Sequence, residues 1–520
     1  MHPADQKNAT TARTIKLDNG RLRIEDIIDI AEGSARVVLS DSHEFCAAIN
    51  RGADFLDRLL REEGTIYGVT TGYGDSCTVT VPVELIGELP RHLYTYHGCG
   101  LGEYLSPIQT RAVMATRLTS LCKGFSGVSL ELLRQIVKLL QCDLLPLIPS
   151  EGSVGASGDL TPLSYLAAVL CGEGEVWRNG VRLSAAQALT EAGMTPLRLR
   201  PKEGLAIMNG TSVMTGLACL AYARADYLTR LVTRITALAS FALDGNAHHF
   251  DPKLFSVKPH PGLQRVAGWL RQDLPCDQRD RNGKRLQDRY SVRCAPHVIG
   301  VLADATPWLR DSIENELNSA NDNPIIDAEG EGVLYGGHFY GGHIAFAMDS
   351  MKNAVANLAD LLDRQMALLV DSRYNNGLAA NLSGAHGPRA TINHGLKGLQ
   401  ISASAWAAEA LKLTMPASVF SRSTECHNQD KVSMGTIAAR DSLRVLELTE
   451  QVAAAMLIAV RQGVWLRCRL NRSMAPEATL RNMMDALGAD IPVIEEDRKL
   501  EPDLRLVLER IRGRAWKLYE

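Results

Sequence analysis

One short stretch, GSVGASGDLTP at residues 152–162, combines glycines, small hydroxyl residues and one acid, with no base and no thiol. Its spacing is G-x-x-G-x-x-G, which differs from the dinucleotide-binding pattern G-x-G-x-x-G, and no lysine follows to complete a phosphate loop. Ser157 is not in a G-x-S-x-G nucleophile turn, because Asp159 stands where the last glycine belongs. The stretch is therefore either an ordinary tight turn or a site of unusual chemistry.

The triad Ala156-Ser157-Gly158 directly precedes a predicted helix that Asp159 or Thr161 can cap. Gly158 lacks a Cβ, so its backbone nitrogen can approach the carbonyl carbon of Ala156 closely. If that nitrogen attacks and two waters leave, the triad becomes a five-membered ring that carries the dehydrated Ser157 as an electrophilic methylidene. The N-terminus of the helix would stabilise negative charge that develops on this ring.

Composition excludes several classes of protein. The 520 residues include 56 Lys and Arg and 59 Asp and Glu, a net charge of −3, so neither nucleic acid nor an anionic membrane is an expected partner. The 11 cysteines have no C-x-x-C spacing, which predicts reduced thiols rather than a disulfide framework or a zinc site. The N-terminus is polar and no run of about 18 apolar residues occurs, so we expect a cytoplasmic protein.

Three long segments, residues 211–246, 343–373 and 436–467, carry apolar residues at helical spacing over wide faces. Helices of this kind pack against several neighbours, which predicts a bundle. The first 210 residues have shorter elements and more turns. We therefore predict a mainly α fold, in which a smaller N-terminal α+β domain (1–210) carries the triad. Residues 211–520 would then form a long central helical bundle and C-terminal helices.

The stretch GSVGASGDLTPLSYLA resembles the signature of the aromatic amino acid ammonia-lyases, the family of histidine, phenylalanine and tyrosine ammonia-lyases and related aminomutases. Other blocks follow in the family's order: YGVTTGYG at 67–74, MNGTS at 208–212, QDRYSVRCAPHVIG at 287–300, GGHFYG at 336–341 and HNQDKVSMGT at 427–436. The resemblance implies that the triad cyclises to 4-methylidene-imidazole-5-one, with no metal and no external cofactor. It also implies a homotetramer whose active sites are each assembled from three subunits.

Tyr67 opens the block YGVTTGYG, and the resemblance makes it the base that removes the β-proton of the substrate. Without the resemblance, a loop tyrosine is more often a packed ring. A phenol with a reference pKa of about 10 must be lowered by ~2 to 3 units to act near neutrality, which requires cationic or hydrogen-bonding neighbours. Gly74 ends the same loop, which could close over the substrate as a lid.

Further positions follow from the resemblance alone. It makes Arg293 the bidentate clamp on the substrate carboxylate, with Tyr290 as a second active-site tyrosine and Gln287 as a carboxylate-side donor. These three lie on one face if their segment is helical. Asn209 would hold the imidazolone oxygen and the substrate carboxylate. The remaining substrate-binding positions implied by the resemblance are Leu160, Phe339 (packed on the imidazolone), Glu425 (near the substrate amine) and Asn428. In the block GGHFYG, His338 replaces the usual asparagine.

The residues that would contact the substrate ring do not match one member of the family. Tyr96-His97 matches none of the family's pairs cleanly. Histidine enzymes have a glutamate where this chain has Gln429, and a neutral amide provides only about half the strength of a charge-assisted hydrogen bond. Because His97 can bond a phenol hydroxyl, we rank L-tyrosine first, giving trans-p-coumarate as in bacterial tyrosine ammonia-lyases. Phenylalanine ranks second and histidine third.

Activities other than ammonia elimination differ in how well they fit this sequence. An aromatic 2,3-aminomutase stays an alternative, because it uses the same machinery and differs only in product residence. The joint presence of Tyr67, Ser157, Tyr290 and Arg293 argues against an inactive homologue with a structural role. A fumarase-like lyase would lack the cyclising triad and would carry a lysine-containing substrate loop that this sequence does not show.

Overall fold

A computed structural model describes residues 13–62, 64–275 and 285–519. Its helices are α1 (Ile24–Ala31), α2 (His43–Arg61), α3 (Leu89–His97), α4 (Pro107–Leu121), α5 (Leu130–Gln141), α6 (Leu160–Leu170), α7 (Ala185–Glu191), α8 (Glu203–Met208), α9 (Ser212–Ala242), α10 (Pro252–Ser256), α11 (Pro261–Asp273), α12 (Tyr290–Arg293), α13 (Ala295–Leu317), α14 (Gly342–Val370), α15 (Lys397–Lys412), α16 (Gly435–Leu470), α17 (Ala478–Gly488) and α18 (Glu501–Arg512). Its strands are β1 (Arg13–Leu17), β2 (Ala35–Leu39), β3 (Leu101–Tyr104), β4 (Leu145–Pro146), β5 (Pro149–Glu151), β6 (Glu175–Arg178), β7 (Val181–Ser184), β8 (Ile325–Asp327) and β9 (Gly332–Leu334).

The chain divides into two compact units built from alternating segments. The first unit comprises Met1–Ala223, Arg310–Asp349 and Pro416–Arg440, and the second comprises Arg224–Leu309, Ser350–Met415 and Asp441–Glu520. The first of these boundaries falls inside α9, some residues after the division expected at 210. The two domains predicted from the sequence, 1–210 and 211–520, stay a prediction.

All the strands that the structure describes lie in the first unit. β1 pairs with β2 in parallel, β3 with β5 and β8 with β9 antiparallel, and β4, β6 and β7 form an antiparallel sheet of three strands. The strands are short, and helices α3, α6 and α8 pack on one another beside them. The expected α+β part of the fold is therefore present.

The second unit is a helical bundle. Arg224 of α9 forms a bidentate ion pair with the buried Glu450 of α16, at 2.7 and 2.8 Å. Gln365 of α14 donates to the Thr236 hydroxyl of α9 at 3.0 Å, and Arg467 of α16 donates to the carbonyl of α9 residue 242 at 2.8 Å. These polar contacts fix the register of long helices that otherwise pack through apolar side chains.

The three long helices expected from the sequence are confirmed as α9, α14 and α16, with 31, 29 and 36 residues. The sequence did not predict α13, whose 23 residues include Pro307. Proline removes one backbone hydrogen bond and usually marks the end of a helix. The residues around Pro307 were therefore not predicted to form one long helix. The segment between α13 and α14 contains the short β8–β9 hairpin. Over the described ranges, no helix is both long and apolar enough to cross a membrane.

Candidate active site

The triad Ala156-Ser157-Gly158 lies just before α6 in the first unit. All three glycines of the motif have positive φ, and Gly158 (φ 71°) has the least space among them. A Cβ on Gly158 would lie 2.0 Å from the carbonyl oxygen of Gly210. Glycine is therefore required at this position both for the left-handed backbone and for the close approach of the segment at 210.

Two N–H groups converge on the carbonyl oxygen of Ser157. Asn209 Nδ2 lies 3.3 Å from this oxygen, and the backbone nitrogen of Gly210 lies 3.2 Å from it. Asn209 is buried, and its Oδ1 finds no hydrogen-bond partner within the described part of the chain. Two fixed donors on one carbonyl oxygen form an arrangement that stabilises negative charge at that oxygen.

Asp159 is fully buried beside the triad. Its carboxylate accepts hydrogen bonds from the backbone nitrogens of Val213 (3.0 Å) and Met214 (2.9 Å), from Ser153 Oγ (3.0 Å) and from the Thr436 hydroxyl. Burial raises the pKa of Asp159, and these hydrogen bonds act in the opposite direction. The side chain thus caps the first turn of α9, whereas the sequence had assigned it to the start of α6.

Tyr67 lies in the loop that precedes α3. Its phenol oxygen accepts a hydrogen bond from the backbone N–H of Gly74 at 2.7 Å. Burial raises the pKa of Tyr67; the Gly74 N–H lowers it, and the Glu425 carboxylate raises it further. The sequence predicted that the neighbours would have to lower this pKa. A lowering therefore has to come from charges other than these.

Glu425 contacts the same loop from a strained turn. Its carboxylate oxygens accept from the backbone nitrogen of Asp75 at 2.9 and 3.0 Å. Glu425, Cys426 and His427 have φ values of 50°, 52° and 67°, a conformation that residues with side chains rarely adopt. Strain held at consecutive residues is typical of functional sites. The turn aims the Glu425 carboxylate at the loop that carries Tyr67.

Gln429 reaches the triad from the end of this turn. Its Nε2 donates to Ser157 Oγ at 3.2 Å, while its Oε1 accepts from the Thr424 hydroxyl at 3.0 Å. The backbones of Thr424 and Gln429 also pair, at 3.0 and 3.2 Å. Asn428 is exposed, and its backbone N–H donates to the Glu425 carbonyl at 2.9 Å. The structure therefore brings Gln429, Ser157 and Asn209 together.

Tyr96 and His97 end α3, with ring centroids 4.4 Å apart. His97 Nδ1 lies 3.0 Å from the carbonyl oxygen of Leu93, which can only accept, so Nδ1 carries the proton and Nε2 is an acceptor. Burial lowers the pKa of His97, which keeps the ring neutral near pH 7. Tyr96 interacts electrostatically with Tyr67 and Glu425. These residues belong to one neighbourhood, as the sequence predicted.

Tyr290 and Arg293 form the short helix α12 of the second unit, and Gln287 precedes it. The Arg293 guanidinium lies 4.7 Å from the centroid of the Tyr290 ring, and its Nε donates to the Asp288 carbonyl at 2.9 Å. The helical spacing expected for Tyr290 and Arg293 is present. The triad and Tyr67 belong to the first unit.

Two further predicted residues lie in the first unit. Leu160 is the first residue of α6. Phe339 is partly buried between β9 and α14, next to the exposed His338. Their assignment to the substrate, like the catalytic and binding roles of the residues above, stays a prediction.

Sequence reasoning missed three residues of this site. Asp159 and Gly210 adjoin Gly158 and Asn209 inside the motif blocks, so their positions were a usable signal. Arg117 is fully buried in α4 and donates to the Asn209 carbonyl at 2.9 Å. Arg117 is one of two arginines in α4, a helix of mixed polar and apolar residues, and no motif distinguishes it, so nothing in the sequence indicated this contact.

Comparisons with known proteins agree with this geometry. The family model described as "Aromatic amino acid lyase" matches residues 22–488. The chain belongs to the aromatic amino acid lyase family. It is 35% identical to a histidine ammonia-lyase of Caenorhabditis elegans, over 98% of this chain and 75% of that protein. It is therefore a carbon–nitrogen lyase.

Two solved structures of the family share its fold. A histidine ammonia-lyase from Trypanosoma cruzi superposes with a TM-score of 0.88 at 31% identity, covering 96% of this chain and 94% of that one. A tyrosine aminomutase from Streptomyces globisporus superposes with a TM-score of 0.89 at 32% identity, covering 96% and 97%. The mainly helical fold expected from the sequence is confirmed.

No metal site is evident in the described ranges: no three His, Cys, Asp or Glu side chains there are placed to hold an ion. The expectation that the reaction needs no metal stays a prediction.

The close approach of Gly210 leads to a test of Gly158. We expect Gly158→Ala to leave the triad unmodified and to lower the melting temperature, because the new Cβ would clash with the Gly210 carbonyl. Gly180→Ala is the matched control: its φ is 77°, yet nothing lies within 4 Å of the added Cβ. Both variants bear roughly 1 kcal/mol of left-handed strain, so intact-mass and melting measurements isolate the clash. Equal behaviour of the two variants would contradict the steric argument.

Proposed function

We propose that the chain eliminates ammonia from an aromatic L-amino acid to give a trans-arylacrylate, using a methylidene-imidazolone formed from Ala156-Ser157-Gly158. The observation that carries the proposal is the pair of N–H donors, from Asn209 and Gly210, on the carbonyl oxygen of Ser157. In the cyclised triad this oxygen becomes the ring carbonyl, where negative charge accumulates.

The residues around the triad fit such a group. Gly158 lies in a space that a Cβ would fill, and Asn209 has a buried Oδ1 without a partner among the described residues. When formed, the group supplies an electrophile that natural side chains do not provide. Asn209 and Gly210 would hold its oxygen, and Asp159 would anchor the segment behind it to α9.

The other residues would bind and deprotonate the substrate. Arg293 is suited to a bidentate grip on the carboxylate, with Gln287 as a further donor and Tyr290 close to both. Tyr67 would accept the β-proton. Because family members assemble each active site from three subunits, we propose a homotetramer, in which cationic groups near Tyr67 offset the effect of its burial.

The substrate ring is proposed to be imidazole first and phenol second. The histidine ammonia-lyases that resemble this chain favour histidine, which the sequence had ranked third. His97 suits either ring, since its Nε2 accepts from an imidazole N–H as well as from a phenol hydroxyl. Gln429 favours tyrosine, because it replaces the carboxylate that histidine enzymes direct at the imidazole. Phenylalanine offers His97 no donor.

One assay tests the proposal. Purified protein is incubated with histidine, tyrosine and phenylalanine, the products are separated, and the intact mass of the chain is measured. We expect a mass two waters below the encoded value, ammonia release with urocanate or p-coumarate, and loss of both in Ser157→Ala. An active protein with the unmodified mass would end the proposal. β-Amino acids as the main products would make the enzyme an aminomutase.

A pH profile tests Tyr67. Burial raises the pKa of Tyr67, and cations that offset this rise bring it back towards the ordinary value of about 10. Little phenolate then exists at neutrality, and its fraction grows about tenfold per pH unit below the pKa. We expect kcat to rise with pH between about 7 and 9 and Tyr67→Phe to lose nearly all activity. Saturating substrate removes the ionisation of the free amine from the profile. A flat kcat over this range would argue against Tyr67 as the base.

A substitution tests the acceptor role of His97. We expect His97→Leu to lower kcat/KM for histidine and tyrosine by roughly tenfold, since a ring donor loses its partner, and to maintain or raise it for phenylalanine. Tyr96→Phe, which keeps the ring and removes a hydroxyl, is the control. An equal loss of kcat/KM on all three substrates would show that His97 only maintains the shape of the substrate pocket.

A further inference from the structure

Arg117 is a fully buried cation in α4. Its Nη1 donates to the Asn209 carbonyl at 2.9 Å and to Asn321 Oδ1 at 3.3 Å, and its Nη2 donates to Ser120 Oγ at 3.1 Å. Burial lowers the pKa of Arg117 to about 10, and the Asp322 carboxylate opposes that shift, so the side chain stays charged near neutrality. A buried charge without a full set of partners calls for a functional explanation.

The carbonyl that Arg117 contacts belongs to the peptide between Asn209 and Gly210. The N–H of that same peptide donates to the Ser157 carbonyl at 3.2 Å. The cation, the peptide and the Ser157 oxygen therefore form one chain of hydrogen bonds. A charge at one end of such a chain polarises the peptide and strengthens the bond at the other end, most of all in a dry interior.

We propose that Arg117 is a positioning residue that acts through the Asn209–Gly210 peptide to strengthen the hydrogen bond to the Ser157 carbonyl oxygen. Arg117 also lies close against Gly210, because its Nη1 is only 2.1 Å from where a Cβ on Gly210 would be. A side chain at position 210 would therefore displace Arg117 from this peptide. The inference rests on the proposed formation of the methylidene-imidazolone and adds a role for a residue outside the motif blocks.

The step that should depend on Arg117 is the loss of the Ser157 hydroxyl. Ring closure joins the Gly158 nitrogen to the Ala156 carbonyl carbon, and the Ala156 oxygen leaves as water with the protons of the Gly158 and Ser157 nitrogens. Next, the Cα proton of Ser157 passes to a base and its electron pair moves onto the Ser157 carbonyl oxygen. The pair returns to form the Cα–Cβ double bond, and Oγ leaves as hydroxide, which takes up a proton to become the second water. The strengthened bond stabilises the charged oxygen between these events.

The test follows maturation by intact mass rather than by turnover. Full-length chains are synthesised in a cell-free system, and the fraction that has lost two waters is measured over time. We expect Arg117→Met to mature about tenfold more slowly than the wild type, the value of a lost charge-assisted hydrogen bond. Arg117→Gln, which can still donate to the carbonyl but has no charge, should be slowed less but measurably.

Lys202→Met is the matched control. Lys202 is equally buried and pairs with Asp322 at 2.5 Å, but the contact is with the carboxylate rather than with the Asn209 carbonyl. We expect its soluble fraction to mature within about twofold of the wild-type rate, although the unpaired Asp322 should destabilise it. Equal slowing of Arg117→Met and Lys202→Met would overturn the inference in favour of a general packing effect.

Other results also decide the question. Wild-type rates in Arg117→Met, or in Arg117→Gln if the methionine variant fails to fold, would refute the role of the charge. A wild-type chain that never loses two waters would refute the proposed function itself.

Discussion

Gly158 and Asp159 are held against Asn209 and Gly210 by backbone hydrogen bonds in both directions, and the site depends on this pairing. The Gly210 N–H donates to the Ser157 carbonyl, and the Asp159 N–H donates to the Gly210 carbonyl. Neither glycine tolerates a side chain, because a Cβ on Gly158 would clash with the Gly210 backbone and one on Gly210 would clash with Arg117 and Asn321. Because Asp159 then caps α9, the start of this 31-residue helix and the triad are held together at one place.

The charged side chains around this pairing are buried. Burial strengthens their interactions with their partners and raises the free-energy cost of leaving any of them unpaired. Asp159, Arg117, Lys202 and Asp322 are all less than 3% exposed. Arg117 donates to a carbonyl and Lys202 to a carboxylate, and Asp159 accepts hydrogen bonds from four donors. In a medium of low polarity such groups hold their geometry rigidly, because an unpaired buried charge costs several kcal/mol. Rigid donors around the Ser157 oxygen are what a developing negative charge requires.

The sequence predicted the long helices and the family well and the internal contacts poorly, for physical reasons. Helical periodicity is a local signal, so α9, α14 and α16 were found, whereas Pro307 concealed α13. Motif blocks marked Asn209, Gln429 and Ser157 but not the contacts among them, and they did not mark Arg117. The contacts of Arg117 with Asn209 and of Asp159 with Val213 join residues 92 and 54 positions apart. No local pattern encodes such pairs.

The pKa of Tyr67 and the choice of substrate ring are two chemical properties that the sequence also could not predict. Within a single chain, burial and the Glu425 carboxylate both raise the pKa of Tyr67 and so disfavour the phenolate. Tyr67 in its proposed role as base would therefore need cations that the loop and the Glu425 turn do not supply, and the proposed sharing of the active site between subunits would provide a source for them. The proposed ring selection, by contrast, would depend on a few atoms, chiefly His97 Nε2 and the Gln429 amide. Sequence identity over the whole chain reports mainly on the helices and the triad. Enzymes that act on different substrates have these parts in common. Similarity to histidine enzymes over the whole chain can therefore coexist with an amide at Gln429, where the resemblance implies that those enzymes have a carboxylate.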